Sequence, residues 1–135
     1  MSENCIFCKI INGEIPSSKI YENEFTYAFL DISGDFYGHT LVVPKSHCKN
    51  VLDCKPETLQ AVINTVQKIS QHYTQNCGFT GVNIFNNSGE SAEQSVPHLH
   101  FHIVPRINDD KYHVSPTNET TKFDLTEVKS RLEVK

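Results

Sequence analysis

The segment His98-Leu99-His100-Phe101-His102 places an imidazole at every second position. Side chains two apart on a strand share a face, so the three histidines point one way while Leu99, Phe101 and Ile103 point the other. Packing gives no reason for three imidazoles in a row, whereas nucleophilic, acid-base and metal-binding chemistry all use this group near neutral pH. Near the start of the chain, Cys5-Ile6-Phe7-Cys8 has the spacing at which two thiolates hold one metal ion. Taken alone, that spacing fits a redox pair, half of a zinc site, or chance. Two cysteines do not complete a tetrahedral shell, and His47, just after Pro44-Lys45-Ser46, and one histidine of the triplet are the candidates for the rest.

These residues must be positioned by elements that the hydrophobic pattern outlines. Ile20 to Leu30 reads as a strand ending in the turn Asp31-Ile32-Ser33-Gly34. After Gly38, the β-branched run from His39 to Val43, closed by Pro44, reads as its antiparallel partner. Pro56 stands where a helix accepts proline, and Leu59, Val62, Ile63, Val66, Ile69 and Tyr73 recur at helical spacing up to the stop at Gly78. This predicts one amphipathic helix of about five turns laid on a sheet. Gly81 to Phe85 reads as a third long strand, 86–95 as a polar loop, and His98 to Pro105 as the strand carrying the triplet. Beyond Arg106 the composition turns polar, with irregular structure expected to about Lys122. Leu125, Val128 and Leu132 then have the spacing of a short helix that could pack back. The fold class is α+β, with one main domain over 1–110 and a partly helical tail over 111–135.

The chain has 135 residues, enough for one domain with a real core and too few for a multidomain machine. Twelve Lys and Arg against sixteen Asp and Glu give a net charge of -4, and no basic field gathers anywhere, which counts against a nucleic acid duplex as partner. No stretch has the apolar length of a membrane span, and the N-terminal residues do not read as a secretory signal. Five cysteines, an odd number, point to a reducing compartment, with Cys48, Cys54 and Cys77 read as unpaired fillers. Two Asn-x-Ser/Thr matches, at Asn86 and Asn118, need a secretory context to matter. The expected location is the cytoplasm, with the nucleus open as well.

The stretches CIFCKIINGEIP, YAFLDI, GHTLVVPKSH, NSGESAEQSV and HLHFHIVPR follow in order over approximately residues 5 to 106. Together they resemble the histidine triad (HIT) superfamily, and within it the Hint-like branch of nucleoside phosphoramidases and protein kinase C inhibitor-like proteins. The resemblance implies an antiparallel sheet with one long helix, dimerising so that a strand from each protomer joins a continuous sheet. It also implies hydrolysis or transfer at the α-phosphate of a nucleotide.

Carried over residue by residue, the resemblance makes His100 the nucleophile, forming a nucleotidyl-histidine that water then hydrolyses. His102 and His39 match histidines that bind phosphate and orient His100, and Ser95 and Asn87 match polar contacts to the α-phosphate and leaving group, with Gln94 beside them. Asp31 resembles the acceptor for the ribose hydroxyls, and Phe7, Ile10, Phe29 and Ile32 the apolar walls around a purine base. Members with the N-terminal cysteine pair hold a structural zinc, which here would take Cys5, Cys8, His47 and His98.

Glu93 departs from the pattern, standing where the loop usually has glycine. Hydrolysis of a purine nucleoside phosphoramidate, adenosine 5'-monophosphoramidate foremost, with release of AMP is the leading expectation. The alternatives are a dinucleoside polyphosphate hydrolase using the same histidine and a nucleotide-binding interaction protein. A small zinc finger is disfavoured by the long separation between Cys8 and His47.

Overall fold

A computed structural model of the chain describes residues 4–114 and 121–134. Five strands form one antiparallel sheet in the order β1-β2-β3-β5-β4: β1 Lys19–Glu22, β2 Thr26–Leu30, β3 Thr40–Pro44, β4 Gly81–Phe85 and β5 Phe101–Arg106. Three helices accompany it: α1 Ile6–Ile11, α2 Pro56–Asn76 and α3 Leu125–Leu132. Among the described residues no helix is long and apolar enough to cross a membrane.

Strand alternation divides the core between the two faces of the sheet. Ala28, Val42, Leu99 and Ile103 pack under Val62, Val66, Ile69 and Tyr73 of α2. On the opposite face Tyr27, Phe29, Leu41 and Val43 pack with Cys5, Phe7, Cys8 and Ile10 of the N-terminal segment. The helix expected from Pro56 is present over 21 residues, with proline in its first turn. Ile63, counted in its apolar stripe, is instead 43% exposed and turned off the sheet.

Two hydroxyl contacts fix α2 to the sheet beside the triplet. Thr26 and Thr65 meet at 2.7 Å between Oγ1 atoms. The Thr40 hydroxyl donates its one proton to the carbonyl of Gly38, so the Tyr73 hydroxyl, 2.7 Å away, is the donor to Thr40. The helix thereby holds the start of β3 immediately after His39.

Several expectations are corrected. The single strand from Ile20 to Leu30 is a hairpin, because Asn23 Oδ1 accepts from the amides of Phe25 and Thr26 and from the Thr26 hydroxyl and turns the chain there. The strand with the triplet begins at Phe101 rather than His98. Its earlier amides are engaged elsewhere, His98 with the carbonyl of Val96 and Leu99 with that of Cys48. The Cys5–Cys8 segment, given no element in advance, opens α1, with Cys5 Sγ accepting from the Cys8 amide as the cap. Cys48 and Cys54, read as unpaired, form a disulfide with Cα atoms 5.3 Å apart; Cys77 is free and exposed. The tail helix α3 forms, capped by Asp124, but no residue of it is buried, and Leu125 and Leu132 face solvent. Part of the irregular stretch expected beyond Arg106, with the match at Asn118, lies outside the described residues.

The loop after β4 contains a single 3-10 turn at Glu90–Ala92, and Glu93, which follows, has φ 66° and ψ 32°. In this left-handed region a Cβ costs about 1–2 kcal/mol, a cost that glycine, the residue expected here from the family pattern, would not bear. Glu93→Gly should raise the unfolding free energy by about 1 kcal/mol, read as a higher denaturant midpoint at unchanged slope; an unchanged or lower midpoint would show that the side chain compensates elsewhere.

Candidate active site and metal cluster

Backbone carbonyls decide which nitrogen of His98 and of His100 carries a proton. His98 Nε2 lies 2.9 Å from the carbonyl oxygen of Pro44, and His100 Nδ1 lies 2.8 Å from that of His98. A carbonyl only accepts, so both of these nitrogens are N–H donors. In the neutral rings the opposite atoms, His98 Nδ1 and His100 Nε2, therefore carry lone pairs.

Burial keeps these rings neutral. It pushes His98 down to about 4, despite the opposing bond to Pro44, and holds His100 below the usual imidazole range against the opposing bond to His98. His102 is likewise pushed down to about 4, by burial first and then by His100 and His39, with Asp31 and Asp35 pulling the other way. Asn86 donates to the carbonyl of His100 at 2.9 Å and accepts from the Ser88 hydroxyl, which pins the peptide that follows the nucleophile candidate.

A cavity of about 280 Å³ opens beside these rings, lined by Phe7, Ile10, Phe29, Asp31, Ile32, Leu41, Ser95, His100 and His102 among others. Phe7 sits at its heart, edge-on to Phe29 at 5.5 Å and to His100 at 5.1 Å between centroids. Phe7, Ile10 and Phe29 are buried, and Ile32, 99% exposed, stands at the rim. Asp31 uses one carboxylate oxygen on the Ser33 amide, and the other lies 3.6 Å from His39 Nδ1. His39 is buried and its Nε2 meets His102 Nδ1 at 2.9 Å. His102 stacks flat on Phe85, 4.3 Å between centroids and 9° between planes.

The sequence reading therefore brought most of its residues to one place. Gln94 is corrected. Its amide donates to the carbonyls of Lys49 and Val96 and accepts from the Gly89 amide and Asn50. Those four bonds use the whole capacity of its side-chain amide, which ties the 86–96 loop to the 48–54 loop. Asn87 is half-buried in the turn after β4 and does not line the cavity. No sequence pattern marks Asn86, Phe85 or the carbonyl of Pro44, since one acts by its side-chain amide on a distant carbonyl, one by a ring face and one by a backbone group.

The second cluster joins α1, the turn after β3 and the bend before β5. Cys5 Sγ lies 3.2 Å from His98 Nδ1, and Cys8 Sγ lies 3.4 Å from His47 Nδ1 and 3.5 Å from His98 Nδ1. The two Nδ1 atoms are 3.0 Å apart, and all four ligand atoms lie within 4.8 Å of one another. Around a tetrahedral zinc with bonds of about 2.0–2.3 Å, neighbouring ligand atoms are roughly 3.3–3.8 Å apart. The spacing, the soft donor set and the free lone pair on His98 Nδ1, fixed from outside by Pro44, all fit such an ion.

A family description, HIT domain, matches residues 12–109. Protein hit of Bacillus subtilis is 50% identical over 105 residues, covering 78% of this chain and 72% of that protein. The adenosine 5'-monophosphoramidase of Schizosaccharomyces pombe is 38% identical over 107 residues, covering 79% of this chain and 77% of that one. A crystal structure of a zinc-bound histidine triad family protein from Mycobacterium smegmatis superposes with a TM-score of 0.78 at 38% identity, over 86% of this chain and 84% of that one. With the imidazoles of the triplet at the centre of the fold and the match running through most of the chain, this protein belongs to the HIT, or histidine triad, family.

Proposed function

We propose that the protein hydrolyses purine nucleoside phosphoramidates, adenosine 5'-monophosphoramidate foremost, through a nucleotidyl-His100 intermediate. One observation carries this reading: His100 is buried, its Nδ1 proton is held by the carbonyl of His98, and its ring lines a cavity that also presents Asp31. The free Nε2 lone pair attacks the α-phosphorus, the P–N bond breaks and the amine leaves with a proton. Water then attacks the phosphorus, the bond to His100 breaks with its electron pair returning to Nε2, and the nucleoside monophosphate is released. Asp31 accepts from the ribose, and Phe7, Ile10, Phe29 and Ile32 flank the base. His39, His102, Ser95 and Asn87 serve the phosphate end. The name of the fission yeast relative supports the substrate class.

Purified protein should turn over adenosine 5'-monophosphoramidate faster than diadenosine tri- or tetraphosphate, and His100→Ala should lower the rate by at least about a thousandfold. Faster turnover of the polyphosphates would move the assignment to dinucleoside polyphosphate hydrolysis; activity that survives the substitution would remove His100 from the reaction.

Cys5, Cys8, His47 and His98 are the residues that would hold zinc. When bound, the ion closes a four-donor shell and crosslinks the N-terminal segment to the bend carrying the triplet, a structural service. Protein purified without chelator should contain one zinc per chain, and stripping it should lower the thermal midpoint by at least about 5 °C. Absence of bound zinc, or an unchanged midpoint after stripping, counts against the assignment.

The outer edge of β4 has no neighbouring strand among the described residues, and Ile84 on it and Ile63 on α2 stand 44% and 43% exposed beside one groove. An edge of this kind supports a homodimer in which β4 meets its counterpart. Light scattering should give twice the chain mass, with Ile84→Asp shifting it to the monomer; a wild-type monomer at micromolar concentration would end this proposal.

A further inference from the structure

His39 Nδ1 lies 2.8 Å from Asp35 Oδ1, much closer than the 3.6 Å to Asp31. Asp35 stands in the loop between β2 and β3, outside the stretches that match the family by motif. The same oxygen accepts from the Ser33 hydroxyl and the Phe36 amide, each at 2.8 Å. Desolvation, which would raise the Asp35 pKa, is outweighed by the bonds from His39, Ser33 and the Phe36 amide, and the carboxyl is held below its usual range.

An ionised carboxylate has only acceptors, so His39 Nδ1 must bear hydrogen. In the neutral ring His39 Nε2 is then a lone pair, and its partner at 2.9 Å, His102 Nδ1, must be the donor. This leaves His102 Nε2 as the bare end of the chain. That atom is buried, has no hydrogen-bond partner among the described residues, and belongs to a ring that lines the cavity beside His100. A buried nitrogen without a partner costs free energy, which a ligand or a reacting water would recover.

The 35–37 segment is anchored for this purpose. The Phe36 ring packs edge-on against His39 at 5.7 Å and against Tyr112 at 5.1 Å between centroids. The Tyr37 amide donates to the Tyr112 hydroxyl, and Arg106, paired with Asp110, donates to the Tyr112 carbonyl. The return of the chain after β5 thus clamps the loop carrying Asp35.

We propose that Asp35 is a positioning residue: through His39 it fixes His102 with Nε2 as the proton acceptor for the water that cleaves nucleotidyl-His100. This rests on the hydrolase reading above. In that step the water oxygen bonds to phosphorus and its proton passes to His102 Nε2. The resulting imidazolium, with the Asp35 carboxylate as counter-charge two links away, returns the proton to the amine that departs in the next turnover. Summed over the cycle, phosphoramidate and water give nucleoside monophosphate and amine.

The test follows the adduct as well as the rate. With adenosine 5'-monophosphoramidate, Asp35→Asn should lower kcat about ten- to hundredfold with KM within about twofold. Intact mass of protein quenched in the steady state should shift to the species carrying one AMP, and Asp35→Glu should recover part of kcat. Asp35→Ala serves as the second variant should the first not fold, with the same accumulation expected. Unchanged kcat, or a loss without adduct in the folded variants, would overturn the inference while leaving the hydrolase reading in place. A wild-type protein inactive on the phosphoramidate would overturn that reading and this inference with it.

Discussion

The carbonyl of His98 is the constraint on which the rest of the site depends. Its oxygen accepts a hydrogen bond from Nδ1–H of His100, while the side chain of the same residue donates Nε2–H to the Pro44 carbonyl and turns Nδ1 toward Cys5, Cys8 and His47. One residue thus faces the cluster with its ring and the nucleophile candidate with its backbone. Both geometries require the chain to leave strand hydrogen bonding before Phe101. The amide of Leu99 accordingly goes to Cys48 instead of to β3. Burial then keeps both rings uncharged, which suits a lone pair aimed at a metal in one case and at phosphorus in the other.

The two faces of the sheet have divided responsibilities. The α2 face is apolar, with Val42, Val62, Val66 and Leu99 excluded from solvent, and it carries the mechanical load through Thr26–Thr65 and Thr40–Tyr73. The opposite face combines core and site, because Phe7 and Phe29 pack the domain and line the cavity at once. The N-terminal segment that completes this face is six residues of helix. So short a helix gains little from its own hydrogen bonds and depends on crosslinks and burial to stay in place.

Much of this was legible in advance, and the reasons for the misses are specific. Alternation placed Leu99 and Ile103 under the helix and the triplet on the other side, because period two needs no tertiary knowledge. The hairpin within Ile20–Leu30 was hidden because its turn depends on one side-chain oxygen, that of Asn23, amid residues that all favour strands. Ile63 has the spacing of a core residue, but it stands in an open groove beside the edge strand β4, where nothing among the described residues covers it. Cys48 and Cys54 carry no pairing signal six residues apart, and only the path of their loop brings them together. Gln94 was placed near the nucleotide by its neighbours in the motif, whereas its role is set by carbonyls and amides from a loop more than forty residues away.

Gly38 adds a consequence for how this site can vary. It has φ 79°, and a Cβ there would lie 2.8 Å from Cγ of Pro105 on β5, so the backbone just before His39 is seated directly on the strand that carries His102. The separation of the two imidazoles is therefore fixed by main chain against proline ring, independently of what fills positions 32 to 37. Substitutions in that loop, Asp35 included, change the polarity presented to His39 Nδ1 without moving the backbone that carries the imidazole. The rigid backbone and the side chains of the loop are thus adjacent in the chain but mechanically separate.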